Sequence, residues 1–237
     1  MEKYNLIAND VRKKILEGFY KPNEQLPFER DFCEYYNVSK MTVKKALDIL
    51  VAEGLIYKRR GAGPFVMDLP VEKMEKMLMD IQMMGTTAFY PDKTITSRVL
   101  DFSVVKATPE IADKLKIKET SFVYKINRVR FVNDKPTVIE ETYMPIDLIT
   151  GLRLEQVEHS IYDYIENDLG LKIQSGHRTI TVRRATDTEA HYLDLESGDP
   201  VAVAVQTGYL NTGVAFEYSI SKHRYDEFSV EIVLTHN

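Results

Sequence analysis

Cysteine is nearly absent from this sequence, and long apolar runs are absent altogether. With Cys33 alone, the chain cannot form an internal disulfide or a cysteine-rich metal site. No stretch approaches the roughly 18 uninterrupted apolar residues that a membrane span needs, and charges interrupt the N-terminal segment, which argues against a signal peptide. These absences predict a protein of the reducing cytoplasm that does not enter a membrane.

The sequence signatures of common catalytic and metal sites are missing as well. The five histidines show no metal-type spacing such as H-x-x-x-H. There is no G-x-S-x-G motif, no phosphate-binding glycine loop and no G-x-G-x-x-G before a helix. Glu140 and Glu141 cannot work as an acid–base pair, because neighbouring strand residues point to opposite faces. We therefore predict no catalytic residue, no metal and no cofactor.

Length and charge point to two folded domains of different electrostatic character. The 237 residues are 44% hydrophobic and 28% charged, as in ordinary globular proteins. The net charge is −5, yet residues 1–70 carry 12 basic and 10 acidic side chains, and the remainder carries 19 and 26. Positive charge is densest in residues 40–60. A polyanion would therefore bind to the first domain, because charge neutralisation is local.

The periodicity of the first 66 residues predicts three helices and a hairpin. The predicted elements are a helix over residues 4–18, a turn to Leu26, a helix from Pro27 to about Tyr35, a helix over residues 40–53, and strands over residues 55–60 and 64–67. Ser39 is a good N-cap for the third helix. Gly61-Ala62-Gly63 forms the tip of the hairpin. This order is the layout of a winged helix-turn-helix.

The predicted third helix and hairpin carry the chemistry of a DNA reader. Lys40, Thr42 and Lys44 lie in the first turns of the helix, where a helix in the major groove presents its residues to bases and phosphates. Glycines at Gly61 and Gly63 permit close approach of the backbone to a groove. The basic side chains beside them are Lys58, Arg59 and Arg60. A solvated amphipathic bundle whose lysines face water is the weaker alternative, and Cys33 is more typical of a small core residue than of a redox sensor.

The stretch LPFERDFCEYYNVSKMTVKKALDILVAEGLIYKRRGAGPFV resembles the DNA-binding domain of GntR-type repressors. The resemblance implies DNA contacts at Arg30, Lys40, Thr42, Lys44 and Gly63, with Ser39 as the cap of the recognition helix. Two features depart from the family. Phe28 replaces the usual serine, which removes a helix cap and a phosphate contact. Lys40 and Lys44 replace arginines, and lysine cannot make the two-pronged contact of arginine with guanine.

The remaining sequence predicts a linker and a second, strand-rich domain. Met74, Met77, Leu78, Ile81 and Met84 form an apolar stripe on a linker helix, which is followed by a loop. The predicted elements after it are strands over residues 94–105, 121–131, 136–143, 177–185, 200–210, 214–225 and 228–234, and helices over residues 108–115 and 160–169. Repeated hairpins with helices on one side of the sheet indicate an antiparallel α+β domain.

Three segments of this domain resemble the UTRA effector domain of the HutC subfamily of GntR regulators, whose fold is similar to that of chorismate lyase. They are RVRFVNDKPTVIEETYMP (128–145), HSIYDYIENDLG (159–170) and FEYSISKHRYD (216–226). The resemblance implies ligand contacts at Arg128, Arg130, Glu140, Ser160, Tyr162 and Glu217. The segment 77–92, which contributes to the pocket in relatives, departs from the usual pattern.

The residues support part of this assignment without the resemblance. Arg128 and Arg130 lie two apart on one strand, so that both point to the same face and suit a phosphate, sulfate or carboxylate. Glu140 on the neighbouring strand, and Glu217, can accept hydrogen bonds from ligand hydroxyls or from those arginines. The alternative is a set of cross-strand ion pairs on a wet face.

The sequence thus predicts a DNA-binding transcription regulator, a repressor controlled by a small anionic metabolite such as a sugar phosphate. Its domains are a winged helix-turn-helix (1–68), a linker helix and loop (69–92) and a UTRA-like domain (93–237). We expect a homodimer on an inverted-repeat operator in double-stranded DNA, since symmetry doubles the small site of one reader. The alternative is a lyase-like enzyme that carries a DNA-binding module, and a protein-interaction module is a third possibility that leaves the basic wing without a purpose.

Overall fold

The computed structural model describes residues 2–81, 85–90 and 92–232. The chain divides into two compact units, one of residues 1–81 with 230–237 and one of residues 82–229. Among the helices in the described residues, none has both the length and the apolar character needed to cross a membrane.

The first unit contains four helices and one hairpin among its described residues. They are α1 (Lys3–Leu16), α2 (Glu29–Tyr36), α3 (Lys40–Ala52), β1 (Ile56–Arg59), β2 (Gly63–Val66) and α4 (Val71–Ile81). The predicted order of helices and strands is present. The second helix, however, begins at Glu29 and not at Pro27, because Phe28 is the N-cap residue in extended conformation. Asp31 accepts a hydrogen bond from the Phe28 backbone N–H at 3.1 Å and so satisfies a free donor at the helix start.

Local sequence explains the boundaries of α3. Ser39 caps the helix, and its Oγ accepts a hydrogen bond from the Thr42 backbone N–H at 3.4 Å. Asn37 adopts the left-handed conformation (φ 49°), which ends α2 and gives the tight turn between the two helices. The helical periodicity predicts one apolar stripe on α3, made of Val43, Ala46, Leu47, Leu50 and Val51. The first four are fully buried, and Val51 is partly buried. Burial of this stripe fixes the opposite face of α3 toward solvent.

The core of the first unit joins α1, α3, the hairpin and α4. Ile7, Val11 and Ile15 of α1 pack there with the α3 stripe, and Cys33 packs against this core while partly buried. The predicted methionine stripe on α4 is placed here in part, since Met74 and Leu78 belong to the same core. Met84, also assigned to that stripe, lies outside the described residues.

The second unit is built on one antiparallel sheet, which confirms the predicted α+β class. Its strands are β3 (Ile95–Lys106), β4 (Phe122–Val132), β5 (Lys135–Pro145), β6 (Ile173–Arg184), β7 (Pro200–Leu210) and β8 (Ala215–Arg224). Their order across the sheet is β3-β4-β5-β8-β7-β6. The β4–β5 hairpin turns at Asn133 and Asp134, both at positive φ (48° and 66°), which is the two-residue turn whose twist matches that of the strands.

Helices cover both faces of this sheet, so the expectation of helices on one side was wrong. The helical elements are α5 (Thr86–Phe89), α6 (Pro109–Leu115), α7 (Leu154–Glu158), α8 (Ile161–Asp163), a π-helical turn (Tyr164–Asp168) and α9 (Asp187–Leu193). Ile126 of β4 packs with α7, α8 and the π-helical turn, whereas Val123 packs with α6 and Val129 with α9. Odd and even positions of a strand face opposite sides, so the helices divide between the two faces.

Other expectations for the second unit also needed correction. The sequence did not predict α5, α7 or α9, and the predicted start of β6 at His177 is four residues late. The predicted strand over residues 228–234 is absent from its described part, 228–232, and residues 233 and 234 lie outside the described residues. Alternating apolar residues are a local signal, whereas a strand also needs a partner for its backbone hydrogen bonds. Phe228 instead packs its ring on that of His223, with 4.4 Å between centroids.

Substitution of Leu47 tests the α3 stripe. Leu47 is fully buried, so Leu47→Ala should lower the free energy of unfolding by about 2–5 kcal/mol through lost burial and a residual cavity. Met41→Ala is the matched control, because Met41 lies on the same helix with 74% of its surface exposed, and it should change that free energy by less than about 0.5 kcal/mol. Urea unfolding of the full chain, followed by circular dichroism, measures both. Equal losses in the two variants would contradict the assigned burial.

Candidate functional sites

The start of α3 presents cations and hydroxyls on its exposed face. The Lys40 side chain is 78% exposed and only loosely paired with Glu29, with 3.7 Å between Nζ and the carboxylate. Lys44 is also exposed, one turn further along the helix. The Ser39 and Thr42 hydroxyl oxygens lie 3.0 Å apart, so the helix cap and the first turn share one polar surface. Such an arrangement can contact both phosphates and base edges of a duplex.

An open groove of about 370 Å³ runs beside this surface. Residues of α1 and α3 line it: Tyr4, Met41, Thr42, Lys44, Lys45 and Asp48. The Lys45 ammonium lies 3.7 Å from the centre of the Tyr4 ring, a cation–π contact that holds this lysine against α1. Lys44 has no such restraint among the described contacts, and its stem is free to reach a ligand from the groove edge.

The hairpin tip has the backbone conformation that its glycines predict. Gly61 and Gly63 lie at positive φ (78° and 89°), which other residues rarely adopt. The tip is tied back by a hydrogen bond from Gln25 Nε2 to the Ala62 carbonyl oxygen at 2.6 Å. Arg60 lies in the tip and not in the first strand as predicted, and Gly63 begins β2. The backbone of the tip is therefore anchored at Ala62, while the Arg60 side chain stays exposed.

The flanking basic residues of the hairpin differ in their freedom. The Lys58 ammonium donates to Asp48 of α3 at 2.7 Å, so it is partly neutralised where it stands. The Arg59 guanidinium lies 5.5 Å from the centre of the Phe65 ring on the neighbouring strand. This contact orients Arg59 without using its hydrogen-bond donors. Of the predicted wing cations, Arg59 and Arg60 are the better placed for a phosphate.

Phe28 has a role that the sequence analysis did not assign. It lacks the side-chain cap of a serine, as predicted, and its ring packs on the backbone of Gly63 instead. A Cβ atom at Gly63 would lie 3.1 Å from two carbons of that ring, closer than an ordinary contact. The ring thus supports the wing, and it adds a steric reason for glycine there. Arg30, the second residue of α2, has a side chain that is 82% exposed.

The two predicted arginines of the second unit lie on one face of β4, and the first is tightly paired. Arg128 stands directly opposite Glu140 of β5. Its Nε and Nη2 atoms lie 2.8 Å and 2.7 Å from one Glu140 oxygen. Its Nη1 donates to the backbone carbonyls of Val157 and His159, at the end of α7. Only 9% of the Arg128 side chain and 13% of the Glu140 side chain are exposed, so the pair does not lie on a wet face and the simple surface ion-pair alternative does not describe it.

Arg130 is the more available of the two arginines. It is only 2% exposed, donates to the His159 carbonyl at 2.8 Å and to the Thr87 hydroxyl at 2.6 Å, and its Nε lacks a partner among the described residues. Burial lowers the pKa of Arg130 to about 10, which still leaves it charged at neutral pH. Burial alone would raise the pKa of Glu140, but Arg128 and Arg130 outweigh that effect and lower it to about 2.

Two residues that the sequence analysis missed complete this end of the site. The Thr86 hydroxyl donates to the second oxygen of Glu140 at 2.5 Å, and Thr87 accepts from Arg130. Both belong to α5, in the segment that departs from the pattern of the resembling family. The sequence signal that could have identified Thr86 and Thr87 is a pair of adjacent hydroxyl side chains in a segment that the resemblance places beside the pocket.

Glu217 forms the second polar centre on the same sheet face. One of its carboxylate oxygens accepts hydrogen bonds from the Tyr162 hydroxyl at 3.1 Å, from Gln206 Nε2 at 3.1 Å and from the Ser219 hydroxyl at 3.0 Å. Burial raises the pKa of the Glu217 carboxyl, and these hydrogen bonds only partly oppose that effect. Gln206, a third residue of the candidate site that was not predicted, accepts a hydrogen bond from Arg178 Nε at 2.8 Å.

Ser160 is the predicted effector residue that the structure places least favourably. Its hydroxyl accepts from the Asp163 backbone N–H at 3.2 Å and so caps α8. The preceding residue, His159, supplies the carbonyl on which Arg128 and Arg130 converge. Ser160 therefore borders the arginine end of the site, with its hydroxyl engaged in helix capping.

Sequence and structure comparisons identify the relatives of both units. Residues 3–66 match the description of bacterial regulatory proteins of the gntR family, and residues 92–229 match the UTRA domain. The HTH-type transcriptional regulator GmuR of Bacillus subtilis is 38% identical over 233 residues, which are 98% of each chain. The HTH-type transcriptional repressor NagR of the same organism is 35% identical, over 95% of this chain and 92% of the relative.

A solved structure agrees along the whole chain. The structure of YydK from Bacillus subtilis, described as a possible transcriptional regulator, has a TM-score of 0.74 and 31% identity over 100% of both chains. These relatives are titled as regulators and not as enzymes, and the predicted resemblance is confirmed. The chain therefore belongs to the gntR family of bacterial regulatory proteins, with a UTRA effector domain behind its DNA-binding domain, and it is a DNA-binding transcription regulator.

Proposed function

We propose that this regulator is a homodimeric repressor of an inverted-repeat operator, and that a phosphorylated sugar or a closely similar hydroxylated anion releases it. The observation that carries the effector class is the pair of polar centres on one sheet face. Arg128, Arg130 and Glu140 form an anion-binding end, and Glu217 forms an end suited to hydroxyls. The relatives NagR and the Mannosyl-D-glycerate transport/metabolism system repressor MngR of Escherichia coli bear titles of repressors.

Charge balance favours an anion at the arginine end. Two guanidiniums face one ionised carboxylate, so the cluster holds one net positive charge in a buried place. A buried charge and an unpaired donor both cost free energy unless a partner compensates them. The Nε of Arg130 has no hydrogen-bond partner in the part of the chain that the structure describes, and a phosphate oxygen would satisfy it together with the charge. A neutral ligand would leave the charge in place.

Hydroxyl recognition fits the Glu217 end. One oxygen of Glu217 already accepts hydrogen bonds from three neutral donors, and the same oxygen can accept hydrogen bonds from ligand hydroxyls. Tyr162 and Gln206, which now donate to Glu217, can exchange these bonds for bonds to a ligand. The two ends together select a molecule with an anionic group at one side and hydroxyls at the other.

The coupling that we propose starts at Thr86 and Thr87. The Thr86 hydroxyl donates a hydrogen bond to Glu140, and the Thr87 hydroxyl accepts one from Arg130, at the place where a ligand phosphate would bind. A ligand that takes over these partners changes what holds α5, and α5 follows α4 after four residues of the chain. A ligand shifts an equilibrium only by its different affinity for two states, so this exchange is where the difference arises.

The DNA-binding residues proposed for operator recognition are those on the α3 face and the wing: Arg30, Ser39, Lys40, Thr42, Lys44, Lys58, Arg59, Arg60, Gly61 and Gly63. Lysines at the reading positions favour phosphate contact over the two-pronged reading of guanine. The expected cytoplasmic location remains a prediction.

Lys44→Ala tests the DNA surface. Loss of one phosphate contact should weaken binding and lower the slope of log affinity against log salt by about one. Lys13→Ala is the control, since the Lys13 side chain is 70% exposed on α1 and lies 3.7 Å from Glu17. Fluorescence anisotropy with DNA from upstream of the gene, over a series of salt concentrations, measures both quantities. Unchanged affinity and slope in Lys44→Ala would place the recognition surface elsewhere.

Arg130→Ala tests the effector class. A pocket ligand at 100 times its Kd adds about 2.7 kcal/mol to the stability of the fold. Among hexose 6-phosphates and the matching free hexoses, only phosphorylated members should raise the melting temperature of the natural protein, and Arg130→Ala should abolish the increment. The control Arg98→Ala, an exposed arginine beside the Phe131 ring, should keep it. A response to free hexoses of equal size would refute the anionic class.

Glu217→Gln tests the second polar centre through pH. Because burial raises the pKa of Glu217, the folded protein binds this proton more tightly than the unfolded chain does. The free energy of unfolding therefore falls as pH rises from the ordinary glutamate range through the raised pKa. Glu217→Gln should remove this decline. The stability that Glu140 contributes behaves differently, because it is lost only below about pH 4.5, as pH falls toward the lowered pKa of about 2. Urea unfolding at a series of pH values measures the slopes, and parallel curves for the two proteins would rule out the assignment.

A further inference from the structure

Met41 is an exposed apolar side chain on α3, the helix that carries most of the proposed DNA contacts. Among the large apolar side chains of the described residues it has the highest exposed fraction, 74%. Single exposed apolar residues are common on protein surfaces, so exposure alone assigns no function. The position of Met41 on the helix and the contacts of its neighbours make it distinct.

Met41 lies in the middle of the solvent-facing side of α3. Successive residues of a helix are turned by about 100°, so Met41 and Asp48, seven residues apart, lie on the same side. That side is opposite the buried part of the α3 stripe. Lys44 flanks Met41 on one side and Thr42 flanks it on the other. Met41 therefore points away from the core, at the open groove that these residues help to line.

The charged residues beside Met41 have partners within the first unit. The Lys45 ammonium lies 3.7 Å from the centre of the Tyr4 ring on α1. Asp48 accepts a hydrogen bond from Lys58 of the hairpin at 2.7 Å. Lys45 is thus drawn toward α1 and Asp48 toward the hairpin. The middle of the exposed face is left to an apolar side chain.

The edges of the same face carry groups that suit phosphates. Lys40 and Lys44 are exposed along one edge, and the Ser39 and Thr42 hydroxyls share the polar surface at the start of the helix. A helix in the major groove lies between two phosphate backbones, so its edges face the phosphates and its centre faces the base edges. In that position α3 would point Met41 at the floor of the groove.

The floor of the major groove offers a methionine only one apolar partner. Each base pair presents hydrogen-bond donors or acceptors there, and thymine alone adds a methyl group, at C5. A thioether forms only weak hydrogen bonds, so packing it on a polar base edge would remove water without replacing the lost bonds. Its unbranched chain and polarizable sulfur adapt well to an apolar contact. Thymine is therefore the base that Met41 can recognise.

We propose that Met41 is a specificity-determining residue that reads thymine through its C5 methyl group. This inference rests on the operator recognition by α3 proposed above, and it names the base that one residue selects. Lys40 and Lys44 cannot make the two-pronged contact of arginine with guanine. Direct reading by α3 is therefore shifted from guanine toward thymine, and each half-site of the operator holds a thymine beneath Met41.

Deoxyuridine tests this reading, because it pairs like thymidine and lacks only the C5 methyl group. The full chain is titrated with the footprinted segment of the DNA upstream of the gene, in which single thymines are replaced in turn, and fluorescence anisotropy gives the affinity. At one position in each half-site the natural protein should bind the deoxyuridine duplex more weakly, by roughly fourfold for the loss of one methyl contact. Met41→Ala should bind the two duplexes equally at that position.

Two variants separate the methyl contact from a general loss of apolar surface. Met41→Leu keeps an apolar side chain of similar volume and should keep most of the thymine preference. Leu6→Ala removes an apolar side chain that is 52% exposed on α1, and it should keep all of that preference. A thymine preference that is equal in the natural protein and in Met41→Ala, or that is absent from the natural protein at every position, would overturn the proposal.

Salt dependence distinguishes this failure from failure of the DNA surface itself. Met41→Ala should weaken binding without changing the slope of log affinity against log salt, because no phosphate contact is lost. Lys44→Ala should lower that slope by about one. If Lys44→Ala does so and no thymine methyl affects binding, α3 remains the DNA surface and the role of Met41 is refuted. If neither variant changes the affinity or the slope, the α3 surface and the role of Met41 are refuted together.

Discussion

The buried pairing of Arg128 with Glu140 constrains the second unit more than any other polar contact. Neither charge is stable in that place without its partner, and removal of one member of such a pair typically costs about 3–5 kcal/mol. The pair needs β4 and β5 in a single register, the carbonyls at the end of α7 and the hydroxyl of Thr86. Sheet register, helix position and pocket composition are therefore set by the same ions, and the site exists as a consequence of how the domain is held together.

The two carboxylates of the site show how position decides chemistry. Glu140 lies between two guanidiniums, which lower its pKa to about 2 despite burial, so it stays ionised. Glu217 is buried, its hydrogen-bond donors among the described residues are neutral, and burial raises its pKa. One residue type thus gives an ionised counter-ion at one end and a hydrogen-bonding carboxyl group with a raised pKa at the other. Both outcomes follow from neighbours on adjacent strands, and composition alone cannot distinguish them.

The sequence was sufficient where the signals are local. The Ser39 cap, the α3 stripe and the wing glycines each act within a few residues, and the helices and strands of residues 3–66 were predicted to within about two residues of their observed bounds. Where pairing across the chain decides, prediction failed. Residues 228–232 have the alternating pattern of a strand but do not form one. The hydroxyls of Thr86 and Thr87 in α5 form hydrogen bonds with Glu140 and Arg130, which lie more than forty positions away in the sequence. The failure to predict α9 has a different cause. Thr186 and Glu189 form a capping box that the sequence shows, but the helix is too short for its apolar periodicity to be recognised.

At the proposed anion-binding end, the exchange of internal partners for ligand groups would set what the site discriminates. Arg130 is already served by the Thr87 hydroxyl and by a carbonyl, so a ligand gains only the difference between its own bonds and those it replaces. A neutral hydroxyl replaces Thr87 with a group of the same kind, and the gain is close to zero. A phosphate replaces it with a charge-assisted, bidentate contact and also satisfies the free Nε, so the gain is large. The internal threonine therefore raises selectivity for anions, because it competes well with weak ligands and poorly with charged ones.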